Sequence, residues 1–329
     1  MFSKDIGIDL GTANVLISVK GQGIVLDEPS VVAVDSETKR VLAIGKDAKE
    51  MLGRTPEKVK AIRPLKDGVI ADFEITEIML NYFIKKIKVK SFLSRPNILI
   101  CCPTNITQVE KNALKEAAER VGARRVFIER EPKVAAIGAG LDISKPSGNL
   151  VIDIGGGTCD IAVLSLNEIV TSSSIKIAGD TFDNDIILYI KNKYKLLIGE
   201  RTAEEIKIKI GTVCPDLKNE QLEIKGRDLV TGLPNVITIN SEEIQEALSE
   251  SINKIVFQIK NVLEETPPEL SADILDKGII LTGGGSMITG LDKLLSDELK
   301  VPVFLADSPL TCVVEGTSIL LENINFLEK

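Results

Sequence analysis

Two stretches of the chain repeat one arrangement of apolar and polar positions. Residues 5–19 read DIGIDLGTANVLISV, and residues 151–164 read VIDIGGGTCDIAVL. Each is an apolar run closing on an aspartate, then a tight turn rich in glycine and threonine, then a second apolar run. That pattern predicts two strand–turn–strand hairpins. The coincidence of Asp, Gly and Thr in both predicts a duplicated α/β unit.

The surrounding pattern alternates strands with helices. Asn97–Cys102 (NILICC) reads as a buried strand. A helix over 107–122 follows, with Thr107 and Glu110 spaced as a capping box and Gly122 as its stop. Residues 126–129 read as a strand and 132–140 as a helix of small residues. Helical periodicity returns over 181–195, 203–210 and Ser241–Glu264. Residues 278–282 (GIILT) read as another buried strand, running through Gly283, Gly284, Gly285 and Ser286 into a helix that ends near Leu299. A last helix is expected over about 310–327. Residues 32–66 read as a small insertion in the first half. Residues 181–243, with a hairpin around Gly226 and Gly232, read as its counterpart in the second. No low-complexity linker separates the halves, so they are expected to pack closely around a cleft.

Bulk properties narrow the function. A chain of 329 residues exceeds one ordinary core, so two lobes are expected. With 44% hydrophobic and 27% charged residues it is globular. A net charge of −8 argues against nucleic acid as a partner and confines any membrane contact to a local patch. The five cysteines include no CxxC pair and read as small buried apolar residues in a reducing cytoplasm. Histidine is absent, which removes imidazole triads and imidazole metal ligands. Chemistry must run on carboxylates, hydroxyls, backbone amides and a bound cation. No apolar run reaches the roughly 20 residues of a membrane span, and the N-terminus enters a strand without the pattern of a signal peptide.

Gly/Thr turns after strands gather backbone N–H groups into anion nests, and two facing turns would hold a polyphosphate from both sides. Asp9 and Asp153 close apolar strands beside those turns. Carboxylates next to a polyphosphate call for Mg²⁺, held largely through water. The glycines at 283–285 would let a flat ring approach the backbone, which suits the nucleoside end of the same ligand. A GxxxxGK[ST] loop is absent, and so is a GxGxxG with its acidic partner. P-loop and dinucleotide enzymes are therefore disfavoured.

DLGTAN (9–14), EPKVAAIGAG (131–140), DIGGGT (153–158) and TGGGSMITG (282–290), in that order, resemble the superfamily of actin, sugar kinases and heat-shock chaperone ATPases. IRPLKDGVIADF (62–73) and GERTAEEIKIKIG (199–211) are similar to the MreB family of bacterial actins, and PPELSADI (267–274) to its Mbl branch. The resemblance implies an actin-like ATPase fold of two duplicated RNase H-like domains, each with an inserted subdomain. Domain I would span 1–143 plus about 308–329, and domain II 144–307. Gly11, Thr12, Ala13 and Asn14 would form the first phosphate loop and Gly155, Gly156, Gly157 and Thr158 the second. Asp9 and Asp153 would organise the Mg²⁺. Glu204 and Lys207 would contact the ribose, where spacing alone suggests an exposed ion pair between them. Gly283, Gly284, Gly285, Ser286 and Met287 would line the adenosine side. Glu131 matches the catalytic glutamate and Thr158 the threonine that helps hold the attacking water; by residue type alone, Glu129 is an alternative to Glu131. Cys159 stands where many relatives carry Thr and should point away from the phosphate.

Residues 81–99 contain no acidic side chain. Lys85, Lys86, Lys88, Lys90 and Arg95 surround Phe92 and Leu93, the composition of a membrane-surface anchor. The family resemblance implies slow ATP hydrolysis, a homopolymer of paired protofilaments on the inner face of the cell membrane, and work with cell-wall elongation proteins in setting rod shape. A chaperone-type or sugar-kinase-type ATPase is the alternative. The first would need a substrate-binding domain, the second an acidic base beside a polar substrate pocket.

Overall fold

The computed structural model describes residues 5–87 and 95–322. Its frame is two five-stranded sheets. The first holds β1 (Ile6–Leu10), β2 (Asn14–Val19), β3 (Gly23–Pro29), β4 (Asn97–Cys102) and β5 (Arg125–Arg130), ordered β3-β2-β1-β4-β5. The second holds β6 (Asn149–Ile154), β7 (Cys159–Ser165), β8 (Glu168–Ile175), β9 (Ile279–Thr282) and β10 (Val303–Leu305), ordered β8-β7-β6-β9-β10. The orders correspond strand for strand. In both, the first three strands form an antiparallel meander, and the last two add in parallel beside its first strand. The duplication expected from the paired hairpins is therefore present in the topology. β1 and β6 are the central strands, and their near-continuous apolar sequences match sheets covered on both faces.

The helices are α1 (Lys46–Met51), α2 (Phe73–Lys86), α3 (Gln108–Arg120), α4 (Glu131–Gly138), α5 (Gly179–Tyr194), α6 (Glu200–Ile210), α7 (Ser241–Glu264), α8 (Pro268–Lys277), α9 (Leu291–Leu299) and α10 (Cys312–Glu322). Thr107 caps α3 through the reciprocal box with Glu110 that the spacing predicts. Three strands (Val32–Asp35, Val41–Ile44 and Val59–Ile62) and α1 form a small unit around Val31, Ala33 and Ala48. In the second half, Gln221–Asp228 and Pro234–Asn240 make a hairpin next to α6. Its turn lies at 229–233 around Gly232, at φ 74°; Gly226 is inside the strand instead, where a side chain would collide with the Leu197 carbonyl and the Leu196 side chain.

Three expectations change. Residues 81–86 are the last turns of α2, an element missing from the sequence reading, and are not part of a continuous basic loop. Lys86 is committed to the buried Glu28 carboxylate at 2.6 Å, while Phe92 and Leu93 lie outside the described residues. The Gly283 segment does not open a helix directly: a 3₁₀ turn, Gly284–Met287, comes first, and α9 starts only after Gly290 at φ 83°. Helix α8 was also not anticipated. No helix among the described residues is long and apolar enough to cross a membrane.

The halves meet at the crossing of α4 and α10, each of which follows the last strand of its sheet. A Cβ on Gly138 would overlap the Cys312 carbonyl, and one on Gly316 would overlap the Val134 carbonyl. Each glycine thus lies against the backbone four residues ahead of the other. Leu99, Cys101, Val134, Val151, Leu164 and Leu321 pack around this contact in one apolar cluster drawn from both sheets. Replacing Gly138 with Ala forces the helices apart, an overpacking cost of about 1–3 kcal/mol. Thermal denaturation of Gly138→Ala should show a melting temperature lower by about 2–10 °C; an unchanged value would mean that the crossing is not tight.

Candidate functional site

The β1–β2 and β6–β7 turns abut. A Cβ on Gly156 would lie 2.8 Å from the Ala13 Cβ, and one on Gly157 would lie 3.0 Å from the Asp67 backbone. Only glycine lets the two hairpins approach this closely. Together they floor a cleft of about 610 Å³ between the halves. Gly11, Thr12, Ala13 and Asn14 line it from one side and Gly155, Gly156, Gly157 and Thr158 from the other. The Thr12 hydroxyl accepts the Gly68 N–H at 3.1 Å, and the Asn14 amide donates to Asp27 at 2.7 Å.

Asp9 and Asp153, penultimate residues of β1 and β6, face the same cleft. Burial and the Asp153 charge push the Asp9 carboxyl up to about 7. Burial pushes Asp153 up to about 6, against the Thr282 hydroxyl that donates to it at 2.6 Å. Glu131 opens α4, with Pro132 next in the first turn, and its side chain lines the cleft. Its carboxyl is raised well above the ordinary range by burial and then by Asp160, Asp9 and Asp153. Glu129 does not line the cleft and pairs with Lys133 at 3.2 Å. The structure therefore separates two glutamates that residue type alone leaves equivalent. Among the described residues, no three acidic or cysteine side chains converge to hold a metal by themselves. Asp9 and Asp153 bring one carboxylate to the cleft from the central strand of each sheet.

Glu204 and Lys207 both line the cleft from α6, but they do not pair with each other. Glu204 is bound to Lys49 of α1 at 3.0 Å, whereas Lys207 is bound to Asp183 at 2.9 Å and donates to the Gly179 carbonyl at 2.9 Å. A second cross-cleft pair joins Arg63 to Asp180 at 2.9 Å. Gly283, Gly284, Gly285 and Met287 line the far end. Ser286 does not; its buried hydroxyl turns back to the Gly283 carbonyl at 2.6 Å. Cys159 is fully buried and does not line the cleft, as alternation along the hairpin implies. Sequence reading missed Asp27, Lys49, Arg63, Asp180 and Asp183. Asp180 and Asp183 follow Gly179, which also lines the cleft, in a segment that reads as a turn; Asp27, Lys49 and Arg63 carry no such local signal and reach the cleft only through tertiary contact.

Comparison with known proteins agrees with this architecture. The chain is 68% identical over 329 residues to the cell shape-determining protein Mbl of Bacillus cereus, covering 100% of this chain and 99% of that protein. It is 64% identical to Mbl of Bacillus subtilis with the same coverage. The crystal structure of MreB 5 of Spiroplasma citri bound to AMPPNP superposes with a TM-score of 0.95 at 43% identity, covering 99% of this chain and 98% of that one. Residues 3–329 match the family described as MreB/Mbl protein, and the chain belongs to that family.

Proposed function

We propose that the chain binds and hydrolyses ATP with Mg²⁺ and assembles into membrane-associated filaments that organise cell-wall synthesis and cell shape. The observation carrying the nucleotide reading is the abutment of two Gly/Thr turns over a cleft that also holds Asp9, Asp153 and Glu131. Such turns present several N–H groups to a phosphate chain. The AMPPNP-bound state of MreB 5 from Spiroplasma citri supports the same ligand class here. The shape role follows the names of the Bacillus relatives. In this reading residues 1–143 with about 308–329 form domain I and 144–307 domain II. Glu204 and Lys207 meet the ribose, and Gly283, Gly284, Gly285 and Met287 border the adenosine.

The residues of the cleft suit in-line hydrolysis. A water oxygen bonds to the γ-phosphorus as the bond to the bridging oxygen breaks, and that oxygen leaves with ADP. Glu131, desolvated and more basic than usual, orients that water and takes its proton, while the Thr158 hydroxyl fixes its position. Two repelling carboxylates at Asp9 and Asp153 fit a Mg²⁺ ion, which when bound supplies charge neutralisation at the phosphates. With no arginine finger or Walker lysine among the matched motifs, hydrolysis is slow in the monomer and speeds up when filament contacts adjust the cleft. Filament pairing and cell-wall partners follow from the family resemblance. Attachment to the inner membrane face is assigned to Phe92 and Leu93 from sequence.

Glu131→Ala should keep ATP affinity but lose phosphate release by about 100-fold or more; unchanged release would remove Glu131 from this role. The acidic pair also gives a pH signature. Both groups have folded values raised above 3.8, so the folded form binds more protons than the unfolded one between that value and about 7. Stability of the nucleotide-free protein should therefore fall as pH rises from 5 to 8. Asp9→Asn should flatten that fall, as read by denaturation at several pH values, and an equally steep fall would exclude Asp9 as its source. Wild-type protein should pellet as polymer with ATP and co-sediment with liposomes. Changing Phe92 and Leu93 to Ser should abolish the second without the first, and persistent co-sedimentation would place the anchor elsewhere.

A further inference from the structure

Asp160 is a buried charge for which the site has so far no use. It lies on β7 directly opposite Asp153 of β6 and is fully buried. Its Oδ1 accepts two hydrogen bonds, from the Thr104 backbone N–H and from the Thr104 hydroxyl, each at 2.8 Å. Thr104 follows β4, so this contact fastens the first half to the second beneath the cleft. The Oδ2 is also buried, and among the described residues it has no hydrogen-bond partner.

This arrangement is poor value for stability. A buried acceptor left unpaired costs about 1–3 kcal/mol, and an ionised one more. Burial accordingly disfavours the ionised form of Asp160, against the opposing pull of the Thr104 N–H and hydroxyl. An asparagine could accept both Thr104 hydrogen bonds through its amide oxygen without carrying a buried charge. The tie between the halves therefore does not require a carboxylate. What a carboxylate adds is charge, and two neighbours are placed to feel it. Thr158 lies two residues away on the same hairpin, and Glu131 has its carboxyl raised first by burial and then by the Asp160 charge.

We propose that Asp160 is a positioning residue for hydrolysis: held by Thr104 from the opposite half, its charge sets where Thr158 and Glu131 meet the attacking water. Asp160 touches neither nucleotide nor water and acts through those two side chains. The proposal rests on the ATPase reading above. It adds to that reading a link from the join between the halves to the geometry of the reacting water.

The test is Asp160→Asn in the full chain, measured for phosphate release, for affinity toward a fluorescent ATP analogue, and for melting temperature. Turnover should fall about tenfold or more, because small misplacements of catalytic groups cost rate rather than binding. Affinity and KM should stay within about twofold of wild type on the same grounds. The melting temperature should be equal or higher, since a desolvated charge has been removed. Adding Asp160→Asn to Glu131→Ala should slow release no further, as expected for residues acting as a unit. Thr104→Val should lower turnover in the same direction, with affinity retained. Undiminished turnover in Asp160→Asn overturns the proposal. So does a parallel loss of turnover, affinity and melting temperature, or failure to fold, because these mark a purely structural tie. If wild-type protein binds the analogue and releases phosphate while Asp160→Asn matches it, only the role of Asp160 fails. If wild-type protein does neither, the ATPase reading fails with it.

Discussion

Repulsion among carboxylates at one point of the cleft sets the terms for the rest of the molecule. Asp9 comes from one sheet, Asp153 from the other and Glu131 from the helix that follows β5; Asp153 and Glu131 are buried and Asp9 is half-buried. Left alone, each would take up a proton or move apart: burial raises both Asp9 and Asp153, and at Asp9 the Asp153 charge adds to it. They stay because rigid elements hold them. Asp9 and Asp153 are fixed near the ends of central strands, and Pro132 in the first turn of α4 helps fix the backbone beside Glu131. The Thr282 hydroxyl steadies Asp153. A chain selected only for stability would place apolar side chains there. The cost is understandable if a cation and a polyphosphate complete the site.

Much of this was legible in the sequence because it depends on local pattern. An apolar strand ending in Asp and turning through Gly and Thr carries its own geometry. Two such hairpins therefore fixed the central strands and both turns. The capping box at Thr107 was equally readable, since its donors and acceptors lie within four residues. The misses share a physical cause. Helix α2 has good periodicity, but its lysine-rich end has the composition of a surface patch, and nothing local shows that Lys86 reaches a buried glutamate brought by β3. Likewise, the spacing of Glu204 and Lys207 suggests an i,i+3 pair, yet Lys49 and Asp183 provide better partners from elsewhere in the chain. Ser286 was grouped with its glycine neighbours, although its hydroxyl is used up within the turn.

The duplicated halves are alike in strand order and unlike in chemistry. The helix after β5 opens with Glu131 at the cleft, whereas the helix after β10 opens with Cys312, buried in the contact with its counterpart. One copy places a carboxylate at the cleft where the other contributes packing. The insertions diverge further, one a small sheet with a short helix and the other a hairpin beside α6. Yet the halves present complementary charges that meet at the mouth, Lys49 and Arg63 from the first against Glu204 and Asp180 from the second.

The crossing of α4 and α10 has a mechanical consequence. Backbone lies on backbone at Gly138 and Gly316, without long side chains to slide or compress, so the contact behaves as a fulcrum. Small rotations about it barely disturb the buried cluster, but they are magnified with distance toward the mouth. There the opposing ion pairs are a quarter to a third or more exposed, and pairs of that kind contribute about 0–1 kcal/mol each. A rotation about that stiff contact would displace the surfaces of the two insertions furthest, because only lightly held pairs join the halves there.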